Sequence, residues 1–199
     1  MPKLVDHDER RREIICATWR LIASEGMSAT GVRRIADEAG LANGTVRHYF
    51  ADKRAILRAA HEHIVAETNR RADEARGEAI GLRALRAFCL EVLPVTADAR
   101  LEARIAMALW HHAATDPESA RINAVVVAQW RGVVVTHLRE AAALGELADP
   151  DTLEDVAGEL LAMLIGQQML GLLAGPGDAT PRLVGELDSF LGRLRSSAR

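Results

Sequence analysis

Apolar residues recur along this chain at three- and four-residue intervals, and no stretch alternates strictly between apolar and polar, so the pattern is helical. A first helix is expected from about Asp8 to Ser24, with Ile14, Ala17, Thr18, Leu21 and Ile22 on its buried side and Gly26 to stop it. Residues 1–9 ahead of its core read as a polar arm. Val32, Ile35, Ala36 and Ala39 give a short second helix one apolar face, with Thr30 placed as its N-cap. Gly40 follows at once, where a left-handed residue ends a helix without steric cost. Leu41 then turns inward, and Val46, Tyr49 and Phe50 supply the inner face of a third short helix. Asp52 caps a fourth, which continues through Ile56, Leu57, Ala60, Ile64 and Val65 to about Gly77.

Five more follow: Gly81–Leu93, closed by Pro94; Ala97–Thr115; Pro117 to about Leu144; Asp151–Ala174; and Thr180–Arg195. Pro117 fits a first helical turn, where its missing N–H costs nothing. The run Gly175-Pro176-Gly177-Asp178 is a turn between the last two. The expectation is an all-α chain of nine helices.

Composition agrees with the pattern. In 199 residues only seven are aromatic, so the core must be aliphatic and alanine-rich, which favours helices. The net charge of −3 is unevenly divided. Residues 1–60 hold 11 Lys/Arg against 8 Asp/Glu, whereas residues 61–199 hold 14 against 20. A basic excess confined to one end is the footprint of a segment that meets an anion, with the remainder acidic enough to keep off it. The N-terminus shows no signal-peptide core, and no apolar run is expected to approach the length of a membrane span, so a cytoplasmic protein is expected. Cys16 and Cys89 match no zinc or redox spacing and read as buried free thiols.

The stretch Thr30 to Leu57 is where chemistry concentrates. Helix, tight turn and helix make a helix-turn-helix, whose second helix enters the DNA major groove. The outward face of that helix offers Asn43, Thr45, Arg47 and His48, all able to hydrogen-bond to phosphates or base edges. Arg33 faces away from the core of the preceding helix, while Arg34 is read as solvated. Lys53 sits in the first turn of the fourth helix, where free backbone donors and its own charge suit a phosphate.

Here the residues resemble the TetR family of bacterial transcriptional regulators. The features that carry the resemblance are Gly26, Val32-Arg33 with Ile35-Ala36, Ala39-Gly40, Gly44-Thr45, His48-Tyr49-Phe50, and Lys53 with Ile56-Leu57. The opening residues 1–3 with Trp110, Pro117, Arg121 and Trp130 look more loosely like the choline-responsive betaine-pathway repressor subgroup. The resemblance implies a homodimer with a DNA-binding head, taken as residues 1–55, and a helical ligand-binding and dimerisation domain, taken as 56–199. It implies that Thr45, Arg47, His48 and Lys53 contact operator DNA, with Thr30 and Arg33 helping; Asn43, Gly44 and Tyr49 complete the candidate DNA-contact set. Two positions depart from the family's pattern. Ala42 stands where a Ser N-cap is usual, a loss of ~1 kcal/mol. Arg47 stands where Tyr is frequent, and an Arg there can hold a guanine edge through two hydrogen bonds.

The last two helices are apolar over more than one face. A twofold interface built from 151–174 and 180–195 of each subunit would cover that surface and supply the second half-site. For a small-molecule effector the candidates are Phe88, Met107, Trp110, His111, Trp130, His137, Met163 and Gln167, mid-helix residues that combine apolar walls with a few polar groups. Trp110 and Trp130 suit a cationic ligand. No cofactor or metal motif is present, and no phosphate-binding Gly loop, HExxH or nucleophile elbow, so an enzyme is not expected. A protein-binding adaptor leaves the outward polar set of the third helix unexplained. The expected function is a repressor that binds a palindromic operator and is released by an effector; an activator, or a ligand-independent regulator of the same fold, is the alternative.

Overall fold

A computed structural model describes residues 7–149, 151–174 and 179–195. Among these, nine α-helices run in order: α1 (His7–Glu25), α2 (Val32–Ala39), α3 (Asn43–Tyr49), α4 (Lys53–Arg76), α5 (Gly81–Val92), α6 (Ala97–Ala113), α7 (Pro117–Ala143), α8 (Leu153–Leu173) and α9 (Thr180–Leu194). Each lies within two residues of its expected bounds, because Gly and Pro punctuate the chain. Residues 1–6 and 175–178, which include Lys3 of the arm and the Gly-Pro-Gly-Asp turn, lie outside the described residues.

The chain forms two compact units, one of residues 1–66 with 104–122, the other of 67–103 with 123–199. In the first, α1 packs on α2 and α2 on α3. Ile14, Leu21, Ile35, Ala36, Val46, Phe50 and Ile56 form its buried centre. The Trp19 indole N–H donates to the Ala60 carbonyl at 3.2 Å, fastening α1 to α4.

In the second unit α5 packs against α8 and α9, and these against each other. Leu85, Phe88, Leu160, Leu164, Leu183 and Leu187 are buried there. Gly171 lets α8 come close to Pro94, whose Cγ would lie 2.7 Å from an added Cβ. The start of α5 has Ile80 at its N-cap, which offers no side-chain acceptor. Two carboxylates supply what Ile80 lacks: Glu140 accepts from the Gly81 N–H at 3.1 Å and Glu146 from the Leu82 N–H at 2.8 Å. Gly81 itself has φ +64, and a Cβ there would meet Glu146 Oε2 at 2.5 Å.

A half-buried ion network joins the end of α4 to α5 and α6. Arg71 donates to Glu102 through both terminal nitrogens, at 2.9 and 2.7 Å, and through Nε to Glu91 at 2.8 Å. Thr68 Oγ1 donates to the same Glu102 carboxylate at 3.2 Å. The two carboxylates raise the Arg71 guanidinium pKa, the Glu102 hydrogen bond contributing most.

Two expectations are corrected. Cys89 is buried and its thiol pushed up by burial, but Cys16 is only half-buried. And α8, by length and composition alone, is apolar enough to cross a bilayer. Its apolar surface is divided: Leu160, Leu161 and Leu164 point into the core, while Met169, Leu170 and Leu173 are exposed.

Candidate nucleic-acid interface

The α2–turn–α3 segment is built by backbone hydrogen bonds that its sequence permits. Gly40 takes φ +67, so the Leu41 N–H can donate back to the Ala36 carbonyl at 2.9 Å and the Gly40 N–H to Asp37 at 3.2 Å. Ala42 is extended and begins α3, its carbonyl accepting from Thr45 at 2.9 Å and Val46 at 3.3 Å. It makes no side-chain cap, as its methyl group dictates. Val46 and Phe50 anchor the inner face, and the Arg11 guanidinium of α1 lies 4.5 Å over the Phe50 ring.

That anchoring turns Asn43, Gly44, Arg47 and His48 to solvent, with Thr45 and Tyr49 half-buried beside them. Arg33 is exposed on α2. Among the described residues neither Arg33 nor Arg47 has a carboxylate partner. Their neighbours differ: Arg34 pairs with Glu25, and Arg20 with Glu38 at 2.8 Å. A Cβ on Gly44 would meet no atom within 4 Å. Nothing in the chain requires glycine there, although glycine weakens a helix by ~1 kcal/mol.

Thr30 does not fit its expected role. It ends a 3-10 turn at Met27–Ala29, and the N-cap of α2 is Gly31. Its side chain is fully buried and its hydroxyl donates to the Met27 carbonyl at 2.7 Å, so it cannot reach DNA. Lys53 is partly engaged at the same place: its Nζ donates to the Met27 carbonyl at 3.2 Å. Two ammonium hydrogens remain for an anion. Asp52 caps the start of α4 as expected, its Oδ1 accepting from the Ala55 N–H at 2.8 Å, which leaves one free donor fewer for an anion.

One contact on this face has no sequence signal. Tyr49 Oη lies 3.0 Å from His7 Nδ1, a pair 42 residues apart. The His48 ring completes a cluster, edge-on to Tyr49 at 5.4 Å and 6.5 Å from His7.

The expected effector residues divide between the two units. Met107, Trp110 and His111 belong to the first unit, and His111 is exposed. In the second, Phe88 and Trp130 meet edge to face at 6.2 Å, both buried. His137 Nδ1 lies 2.9 Å from Glu140, which also caps α5; the His137 hydrogen bond first and the Gly81 N–H second hold the Glu140 carboxyl below the usual carboxylate range. Met163 and Gln167 instead line an open trough of about 610 Å³ between α8 and α9, with Leu170, Arg182, Glu186 and Arg193. Polar atoms that sequence inspection missed are Asn69 Oδ1 and Asn123 Oδ1, buried without a hydrogen-bond partner, as is Trp130 Nε1. Asn123 and Trp130 are two turns apart on α7, hence on one face.

Residues 14–60 match the family model of the tetR bacterial regulatory proteins, and residues 83–195 that of the BetI-type transcriptional repressor C-terminal domain. The chain belongs to the TetR family. It is a transcriptional regulator with a helix-turn-helix DNA-binding domain and not an enzyme. Among curated relatives of this TetR-family chain are the HTH-type transcriptional regulator PksA of Bacillus subtilis, 28% identical over 177 residues, and BetI of Burkholderia cenocepacia, 28% identical over 180 residues. These alignments take in 88% of this chain and 84% and 88% of the relatives. A transcriptional regulator from Rhodococcus sp. superposes with TM-score 0.80 at 25% identity, over 92% of this chain and 95% of that one. A regulator from Saccharomonospora viridis, solved in complex with choline, superposes with TM-score 0.84 at 22% identity, over 96% and 100% of the two chains, and so shares the fold.

Proposed function

We propose that this TetR-family regulator is a homodimeric repressor that binds a palindromic operator through α3 and is released by a small-molecule effector. The observation that carries the DNA contact is the outward face of α3. Arg47 is exposed and, among the described residues, without a carboxylate partner, while Arg20 and Arg34 of the head are paired. Gly44 leaves open space where a phosphate backbone can approach the helix. Arg33, Asn43, Thr45, His48, Tyr49 and Lys53 complete the contact set, and Thr30 leaves it.

The dimer forms through α8 and α9. Met169, Leu170 and Leu173 are 48%, 51% and 79% exposed along one end of α8, more apolar surface than a free helix keeps in water. A twofold copy covers it and sets two heads on successive major grooves, ~34–36 Å apart. The head at 1–55 and the regulatory part at 56–199 share α4, so an effector held among the C-terminal helices acts by shifting that helix and the spacing of the heads. Choline is the first effector to try, supported by the BetI-type C-terminal match and by the choline-bound neighbour. The protein acts in the cytoplasm, where its operator lies.

A gel shift and footprint on DNA upstream of the protein's own coding region, at two salt concentrations, tests this. The expected result is a palindromic footprint whose affinity falls steeply with salt as phosphate contacts release counterions. If unbiased selection from random DNA also enriches no sequence, the operator reading fails.

A further inference from the structure

We propose that His7, at the start of α1, is a positioning residue of the DNA-binding face: it sets the direction of the Tyr49 hydroxyl hydrogen and couples operator binding to proton uptake. This rests on the reading of α3 as the DNA-contact helix.

The geometry is local and well anchored. One turn along α1 from His7, Arg11 lies over Phe50, the residue that follows Tyr49, so the same face of α1 is held against the end of α3. His7 Nδ1 stands 3.0 Å from Tyr49 Oη, with ring centroids 5.6 Å apart. A phenol has a single hydrogen to donate. When His7 is neutral with its proton on Nε2, Tyr49 donates that hydrogen to Nδ1 and turns only lone pairs outward, which repel a phosphate oxygen. Imidazolium carries hydrogen on both nitrogens and can only donate. Its Nδ1–H then donates to Tyr49 Oη, and the phenol hydrogen is released to donate to phosphate. The imidazolium also adds a positive charge beside the duplex. Each effect favours bound DNA in the protonated state, and imidazole changes charge between pH 5 and 8.

The charged groups around His7 can be named. On α1 lie Asp8 and Glu9, both themselves engaged, with Arg10 held by Glu13 at 2.6 Å and Arg11 by Phe50. From α3 come Tyr49 and His48, with Arg47 on the same short helix. His48 is a second imidazole on this face, so its share has to be separated from that of His7.

The test uses the full chain and the DNA it selects from a random pool, with affinity measured at pH 6 and pH 8 at constant ionic strength. The wild type is expected to bind more tightly at pH 6, by up to about tenfold per pH unit for each proton taken up. His7→Gln and Tyr49→Phe should each remove the same part of that slope, and the double variant no more than either alone. His48→Gln should leave that part in place. A His7→Gln slope equal to the wild type, or losses that add in the double variant, overturns the proposal. Failure of the wild type to select any DNA at either pH overturns the operator reading together with it. Selected DNA with a slope independent of His7 overturns this proposal alone. Circular-dichroism melting of each variant separates a lost contact from lost folding.

Discussion

Arg47 on α3 and Arg71 near the end of α4 are both helical arginines, yet their surroundings are opposite. Arg47 is exposed, and no carboxylate of the described chain faces it. Arg71 is 23% exposed and clamped between Glu91 and Glu102, each of its three nitrogens donating to a carboxylate. The same contrast holds along each unit. The outward face of the head keeps charges and donors uncommitted, whereas the C-terminal unit matches its charges internally, as in Arg71–Glu102, His137–Glu140 and Arg86–Asp188. An anion-binding surface must leave its donors free in the absence of the anion. A domain that only has to fold and carry a conformational change gains more by pairing them.

Breaking the paired side should have the largest effect on folding. Arg71→Met leaves the Glu102 carboxylate, 8% exposed, with only the Thr68 hydroxyl as donor. The expected loss is about 3 kcal/mol, at the low end for a buried pair because Arg71 retains some contact with water. For a chain of this length that lowers Tm by roughly 6–12 °C. Replacing both residues by apolar ones should recover most of the loss. A Tm shift below about 2 °C in the single variant would show that solvent already screens the network.

Breaking the uncommitted side should spare folding and cost binding. Arg47→Ala is expected to weaken operator affinity by about 1–3 kcal/mol, the worth of a bidentate base contact, with Tm unchanged. Arg34→Ala serves as the comparison, since Arg34 is engaged by Glu25 at the surface, where solvent screens the pair and it contributes little. Equal losses of affinity from the two would erase the distinction drawn between them. Lys53→Ala should weaken binding to all sequences alike and flatten the salt slope by about one unit.

His61 extends the comparison to pH. It is buried in α4 within the first unit, and burial lowers its pKa. The unfolded chain therefore takes up a proton first as pH falls below the ordinary imidazole value of ~6.5. The stability that neutral His61 contributes is complete above that value and is lost as pH falls toward its depressed folded value. His61→Leu should flatten the decline of Tm between pH 7.5 and pH 5; an unchanged decline would assign the acid sensitivity to other groups.

These variants also mark what the sequence made legible. Helices with a strong apolar period and Gly or Pro ends were readable, since those signals are local: Gly26, Gly40 and Pro117 lie where the pattern requires. The outward set on α3 was readable for the same reason, as two short helices fix which residues face out. Thr30 was misassigned because Gly31 intervenes and begins α2 one residue later, turning the threonine inward. Long-range pairs such as Arg71–Glu102 and His7–Tyr49 join residues 31 and 42 apart, and no periodicity encodes which surface arginine or histidine meets which partner. The effector residues were least legible. Trp and Met at helical spacing pack equally well in a core, and here Phe88 with Trp130 does so while Met163 and Gln167 face another surface.

The smallest expected effect bears on how far the head's free surface is held ready before DNA arrives. Helix α3 is seven residues long, too short to be stable by itself, and its N-cap Ala42 offers no acceptor to the free N–H groups behind it. The backbone of Ala42 is already extended, the conformation a capping side chain needs. Ala42→Ser should therefore place a hydroxyl oxygen where it can accept from the Gly44 or Thr45 N–H without moving the chain, a gain of about 0.5–1 kcal/mol. Two outcomes follow from where that gain appears. If Tm rises and operator affinity rises with it, α3 frays in the free protein, and part of the binding energy is used to order it. If Tm rises while affinity stays constant, packing of Val46 and Phe50 already holds the helix formed, and the cap stabilises free and bound states equally. A variant with neither gain would mean that the Ala42 backbone is not held in its extended form, and that α3 lacks the rigid frame on which the orientation of Arg47 depends.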